Sequence, residues 1–159
     1  MKTLVVYASK GGYSRECAQK IAASLTGGAD VVDVKKNARK TDVASYDTVI
    51  LGGGILAGRL PGALRRFCLK NASALEQKRV GLFICGTDPE NHEKVFAANY
   101  PGGLLDCAVV KTWLGGRILF ADQKGIMRFV LKKMLKGEND VHAEQPEALK
   151  AFVTAIEAI

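Results

Sequence analysis

The sequence predicts an α/β protein, with a parallel five-stranded sheet flanked by helices on both faces. Three observations carry that expectation. Short apolar runs alternate with segments of helical periodicity. A glycine-rich loop joins the first strand to the first helix. At 159 residues the chain suits one domain, 1–159, with a sizeable core.

The first strand is the apolar run Leu4-Val5-Val6-Tyr7. After it, Cys17, Ala18, Ile21, Ala22 and Leu25 recur with the spacing of one helix face. Between them lies Ser9-Lys10-Gly11-Gly12-Tyr13-Ser14. Convergent backbone N–H groups, a helix N-terminus and hydroxyls suit an anion, so this loop reads as a phosphate site. Ser14 is expected at the N-cap. Neither the dinucleotide fingerprint nor the P-loop pattern is present.

Gly27-Gly28 stops the first helix, and Asp30 to Val34 reads as a half-wet strand near the sheet edge. A polar loop or poor helix spans Lys35 to Asp42. Thr48 to Leu51 is the third strand and runs into Gly52-Gly53-Gly54. Pro61 fits a helix start, with Leu64, Phe67, Cys68 and Leu75 on the apolar face. Val80 to Cys85 is the fourth strand, and a short helix spans Asn91 to Asn99, broken by Pro101-Gly102-Gly103. Ala108-Val109-Val110 opens a fifth strand expected to resume beyond Trp113, through Gly116 to Phe120. Helices are expected over Gly125 to Lys136 and Glu144 to Ile159.

The chain is 48% hydrophobic and 25% charged, ordinary values for a soluble globular protein. No signal peptide and no run near the ~20 apolar residues of a spanning helix are visible. Cys17, Cys68, Cys85 and Cys107 are scattered, and His92 and His142 are isolated, so free thiols, no metal and a cytoplasmic setting are expected. The net charge of +7 is concentrated: residues 117–136 carry Arg117, Lys124, Arg128, Lys132, Lys133 and Lys136 against Asp122 alone.

The strand–S-K-G-G-Y-S-R-E–helix pattern resembles the FMN-phosphate loop of the flavodoxin-like family. It is nearest to the menaquinone-dependent protoporphyrinogen oxidases, whose form Ser9, Lys10, Gly12, Ser14, Arg15 and Glu16 match. The resemblance implies a flavodoxin-like three-layer sandwich with strand order 2-1-3-4-5, and ligands in such sheets bind beyond the carboxyl ends of the strands. It also implies FMN, with its phosphate at residues 9–14 and its ring between two further loops. One contains Gly53, Gly54, Ile55, Leu56, Ala57 and Gly58, without the aromatic residue many members have. The other is Cys85, Gly86, Thr87 and Asp88. Two roles stand open for Asp88, opposing reduction of the flavin or capping the next helix. Trp113 lines the substrate side or packs in the core. No catalytic side-chain set is expected, because the flavin carries the electron chemistry.

Lys124, Arg128, Lys132 and Lys136 share one helical stripe on an otherwise very apolar segment. The stripe is a solvated face, or it meets an anionic membrane surface or a carboxylate-bearing substrate. By resemblance the partners are a porphyrinogen-like donor and a quinone, the latter placing the protein peripherally at the inner face of the membrane. Against the family's pattern, residues 87–107 carry little positive charge. Three functional readings result: a quinone-linked FMN dehydrogenase, a flavodoxin-type carrier serving a redox protein, and a flavin-free binding module. A basic chain disfavours the carrier. No nucleic-acid partner is expected.

Overall fold

A computed structural model describes residues 1–88, 90–120, 123–137 and 139–158. The sheet is centred on β1 (Thr3–Ala8), buried along its whole length. It pairs on one side with β2 (Asp30–Asp33) and on the other with β3 (Thr48–Gly54). Then come β4 (Arg79–Cys85) and β5 (Val110–Trp113), all parallel, in the order β2-β1-β3-β4-β5. This is the expected sheet. Asp30 and Val31 are exposed, as befits an edge strand.

Alternation along the strands divides the core into two layers. Leu4, Val6, Leu51 and Leu82 face one way, against Leu64, Phe67, Cys68 and Leu75 of α3 (Gly62–Lys70) and α4 (Ala72–Leu75). Val5, Ile50 and Phe83 face the other, against Cys17 and Ile21 of α1 (Tyr13–Ser24) and Phe152 and Ile156 of α8 (Pro146–Glu157). Burying one such side chain contributes about 1.5–3 kcal/mol. Gly52 has no tolerance for a side chain, because a Cβ there would lie 2.3 Å from the Phe83 ring. β3 continues past Leu51 because Gly52, Gly53 and Gly54 keep pairing with Phe83, Ile84 and Cys85 of β4.

Other boundaries also differ from expectation. Lys35 to Asp42 holds a one-turn helix, α2 (Val34–Asn37), capped by Asp33, and then a 3₁₀ turn. Beyond α5 (His92–Asn99) the Pro-Gly-Gly sequence starts another helix, α6 (Gly102–Cys107), as well as ending one. Proline with its fixed φ suits the residue just before a helix.

The largest correction follows β5. Residues Gly116 to Phe120 do not extend it. Gly115 turns the chain at φ 74°, and β6 (Gly115–Ile118) pairs antiparallel with β7 (Val141–Glu144) as a separate two-stranded sheet. β7 occupies the expected start of the last helix, which begins at Pro146. The helix α7 (Gly125–Leu135) lies between β6 and β7, and Lys136 closes it in the left-handed conformation. This excursion from the sheet bears on the site.

Candidate functional site

The carboxyl ends of β1, β3 and β4 open into a cleft with about 970 Å³ of empty space, its mouth included. Ser9, Lys10, Gly11, Tyr13 and Ser14 line it on the first side. Gly12 sits behind them as the N-cap of α1, at φ 89°. Ser9 shapes the turn, its Oγ accepting the Gly12 N–H at 2.9 Å. Ser14 is therefore not the cap; it is buried within the first turn, because the loop completes its turn earlier. No side chain caps α1, so its first N–H groups have no intrahelical acceptor and stay available to an anion.

Lys35, not anticipated from sequence, adds to this end by donating from Nζ to the Ser9 carbonyl at 2.6 Å. Burial pushes its ammonium below the ordinary value and the neighbouring Lys10 charge pushes it further, with Asp33 opposing. An anion bound at this helix start would favour the charged form of Lys35.

The second side is a tight hairpin after β3. Leu56 and Arg59 exchange backbone hydrogen bonds at 3.0 and 3.1 Å, with Ala57 at φ 50° and Gly58 at φ 76° between them. Consecutive positive φ values define a type I′ turn. Gly54, Ile55 and Leu56 line the cleft, while Gly53 lies within β3, and Ala57 and Gly58 form the outer tip. Asn99 of α5 anchors the hairpin from beneath. Its buried amide accepts the Leu60 N–H at 2.8 Å and donates to the Gly58 and Val95 carbonyls at 2.9 and 2.8 Å. Nothing local in the sequence marks Asn99.

Cys85, Gly86 and Thr87 line the third side. Ile55 donates its N–H to the Cys85 carbonyl at 2.7 Å, joining this loop to the hairpin. Burial pushes the Cys85 thiol up, and a hydrogen bond shared with Cys17 acts the same way; Cys85 is a packed thiol. Asp88 is exposed, and its Oδ1 accepts the Glu90 N–H at 2.9 Å. It does not cap α5, whose N-cap is Asn91, and it is not among the described residues lining the cleft. Trp113 is half-buried on the flank of the core, stacks on His92 at 4.5 Å and donates Nε1–H to the Gly86 carbonyl at 2.8 Å.

The excursion forms the remaining wall, which the sequence reading missed. Gly116 lies so close to the Gly86–Thr87 peptide that a Cβ would come within 2.7 Å of it. Arg117 reaches back to Glu16 of α1 at 2.7 Å, with its guanidinium 5.5 Å from the centroid of the Tyr13 ring. The Tyr13 hydroxyl donates to the Leu114 carbonyl at 2.8 Å, and burial pushes its pKa up, keeping it a donor. Leu131 of α7 closes the wall from inside. The outer surface of the same helix leaves Ile126 82% and Phe129 58% exposed, with Met134 also exposed. Among the described residues no helix is long and apolar enough to cross a membrane.

A parallel sheet in this order, with a glycine-containing loop opening the first helix at its switch point, defines a doubly wound α/β protein. The flavodoxin domain family model matches residues 4–142, and the chain belongs to that family. Over 160 aligned positions it is 26% identical to protoporphyrinogen IX dehydrogenase [quinone] of Escherichia coli K12, covering 91% of this chain and 86% of that one. Solved structures share the fold. A short-chain flavodoxin associated with a bacterial microcompartment superposes with TM-score 0.60 at 17% identity, covering 98% and 97% of the two chains. Flavodoxin 1 of Bacillus cereus gives 0.57 at 15%, covering 98% and 95%. Rubredoxin oxygen:oxidoreductase of Desulfovibrio gigas gives 0.53 at 15%; the match covers 99% of this chain but only 37% of that longer one.

FMN is the cofactor of the family, and the residues present fit it. The uncapped α1 start, with Lys10 lining the cleft and Lys35 behind it on the Ser9 carbonyl, would suit a phosphate. Gly54 forms a cradle in which a Cβ would meet the Ser14 Oγ at 3.2 Å. Ile55 and Leu56 offer apolar surface beside it.

Proposed function

We propose that this protein is an FMN-dependent oxidoreductase that takes electrons from a reduced porphyrinogen-like donor and passes them to a quinone. The observation that carries the reading is the lining of the cleft. An anion loop occupies one end, and Lys10, Arg59 and Arg117 line the cleft with no carboxylate among the described lining residues. Bound FMN supplies the electron chemistry. The chain's own part is to hold and shield the reacting partners. The α1 start and the residues from Ser9 to Ser14, with Lys35, would hold the phosphate. Gly54, Ile55 and Leu56 would flank the ring on one side, with Cys85, Gly86 and Thr87 on the other. Leu60 and Leu131 keep water from the inner wall. The similarity to a quinone-linked protoporphyrinogen dehydrogenase supports the choice of donor and acceptor.

The outer face of α7 supports a lipid-dissolved acceptor. Exposed Ile126, Phe129 and Met134 sit beside exposed Lys124, Lys132, Lys133 and Lys136, with Arg128 on the same helix donating to the Phe120 carbonyl at 3.2 Å. Apolar side chains among cations suit the surface of an anionic membrane.

The test is anaerobic oxidation of protoporphyrinogen by the FMN-loaded protein with a menaquinone analogue, followed by porphyrin fluorescence. Catalytic, quinone-dependent porphyrin formation above a flavin-only control is expected. A bound, reducible flavin with no turnover would refute the enzyme reading in favour of a carrier.

A further inference from the structure

We infer that the hairpin after β3 carries the carboxylate-recognition site for the donor: an arginine rim formed by Arg59, Arg65 and Arg66. The inference rests on the proposed oxidation of an anionic donor and assigns residues to its binding. Between Thr48 and Leu75 the chain has four cations, Arg59, Arg65, Arg66 and Lys70, and no carboxylate. Arg59 follows the type I′ turn and lines the cleft. Its guanidinium has no hydrogen bond or ion pair among the described residues. Arg65 is steadied by its Nε–H donating to the Leu60 carbonyl at 3.3 Å. The Arg65 and Arg66 guanidinium groups gather at Gly62, another lining residue, where a built Cβ would lie 4.0 and 3.0 Å from them.

The support beneath is rigid. Asn99 fixes Leu60 and Gly58, and the Leu56–Arg59 bonds close the turn. Arginine forks match carboxylates bidentately, and Arg65 is already anchored on the Leu60 carbonyl. The opposite loop is unsuited to an anion: residues 87–107 hold Lys94 against Asp88, Glu90, Glu93 and Asp106. Donor carboxylates are thus drawn to the hairpin and away from the segment after β4.

The test uses the FMN-loaded protein and an unreactive porphyrin dicarboxylate, with its dimethyl ester as the uncharged probe. Binding is read by flavin and porphyrin absorbance, and retained FMN is measured separately. The dicarboxylate is expected to bind about ten- to a hundredfold tighter than the ester, the range of one or two charged hydrogen bonds. Arg59→Gln should abolish most of that preference with FMN affinity unchanged, Arg59→Lys should restore part of it, and Arg66→Gln should weaken it less. If Arg59→Gln keeps the preference, the rim is not the site, while the donor reading survives. If Arg59→Gln instead loses FMN, the arginine serves the cofactor phosphate and the inference fails. If neither probe binds although FMN does, both the inference and the porphyrinogen-like donor fail together.

Discussion

The two rims of the cleft are built in opposite ways. The hairpin after β3 is a short turn, cross-bonded within itself and pinned from below by the buried amide of Asn99. The excursion of β6, α7 and β7 touches the main sheet through a narrow seam at Gly86, Gly115 and Gly116 and through the Arg117–Glu16 pair, with apolar side chains turned outward. One rim has its backbone fixed by hydrogen bonds and carries Arg59 and Arg65 on it. The other leaves surface uncovered that the chain itself does not bury. The first would suit fixed recognition of the proposed donor, and the second would suit contact with the proposed membrane surface.

The seam offers the severest way to break that contrast. Gly116→Val places its side chain against the backbone of Gly86 and Thr87, which cannot move aside as a side chain would. It should cost about 3 kcal/mol, seen as a lower urea midpoint, and should weaken FMN binding too. An unchanged midpoint would mean that the excursion is not seated on the β4 loop. Next comes the pinned rim. Asn99→Ala leaves the Leu60 N–H and the Gly58 carbonyl without their partner and should cost about 2 kcal/mol. It should also lower donor affinity more than FMN affinity, because the hairpin loosens while the phosphate loop does not.

The contrast also explains what could be read in the sequence. The alternation of strands with helices and the glycines after β3 follow from patterns within a few residues of each other and are legible, while the strand order came through the family resemblance. Ser14 was misassigned because the turn hinges on Ser9 and Gly12, a difference of backbone conformation that composition does not carry. β6 and β7 are four-residue strands on either side of α7. Neither is long enough for alternation to stand out, and their pairing joins positions more than twenty residues apart. Asn99 and Arg117 act across the fold, on Leu60 and Glu16, so no local signal marked them. Asp122, counted with the charges of residues 117–136, and Ile159, the expected end of the last helix, lie outside the described residues.

Changes to the outer surface of α7 should barely touch stability. Ile126→Ser with Phe129→Ser should alter unfolding by under about 0.5 kcal/mol, as exposed substitutions do. The same pair should cut binding to anionic vesicles about tenfold or more. Equal vesicle binding by the variant would remove the membrane assignment and leave α7 as a plain wall of the cleft.

The smallest effect concerns the excursion's electrostatic tether. Lys20 and then Arg117 hold the Glu16 carboxyl below its ordinary pKa. A depressed folded-state value means stability that is present above the ordinary carboxylate pKa and lost as pH falls through the lowered one. Glu16→Gln should therefore flatten stability against pH in that acid window. The difference should stay under about 0.5 kcal/mol, because solvent screens a carboxylate 34% exposed. An unchanged acid slope would show that the pair does not tether the excursion.

The most direct test of the central claim compares FMN with riboflavin, which lacks the phosphate, by equilibrium titration of the purified chain. Lys10, Lys35 and the uncapped start of α1 predict FMN binding about a hundredfold tighter than riboflavin, with Lys10→Ala closing part of the gap. Equal affinities for the two flavins, or no affinity for either, would contradict the account.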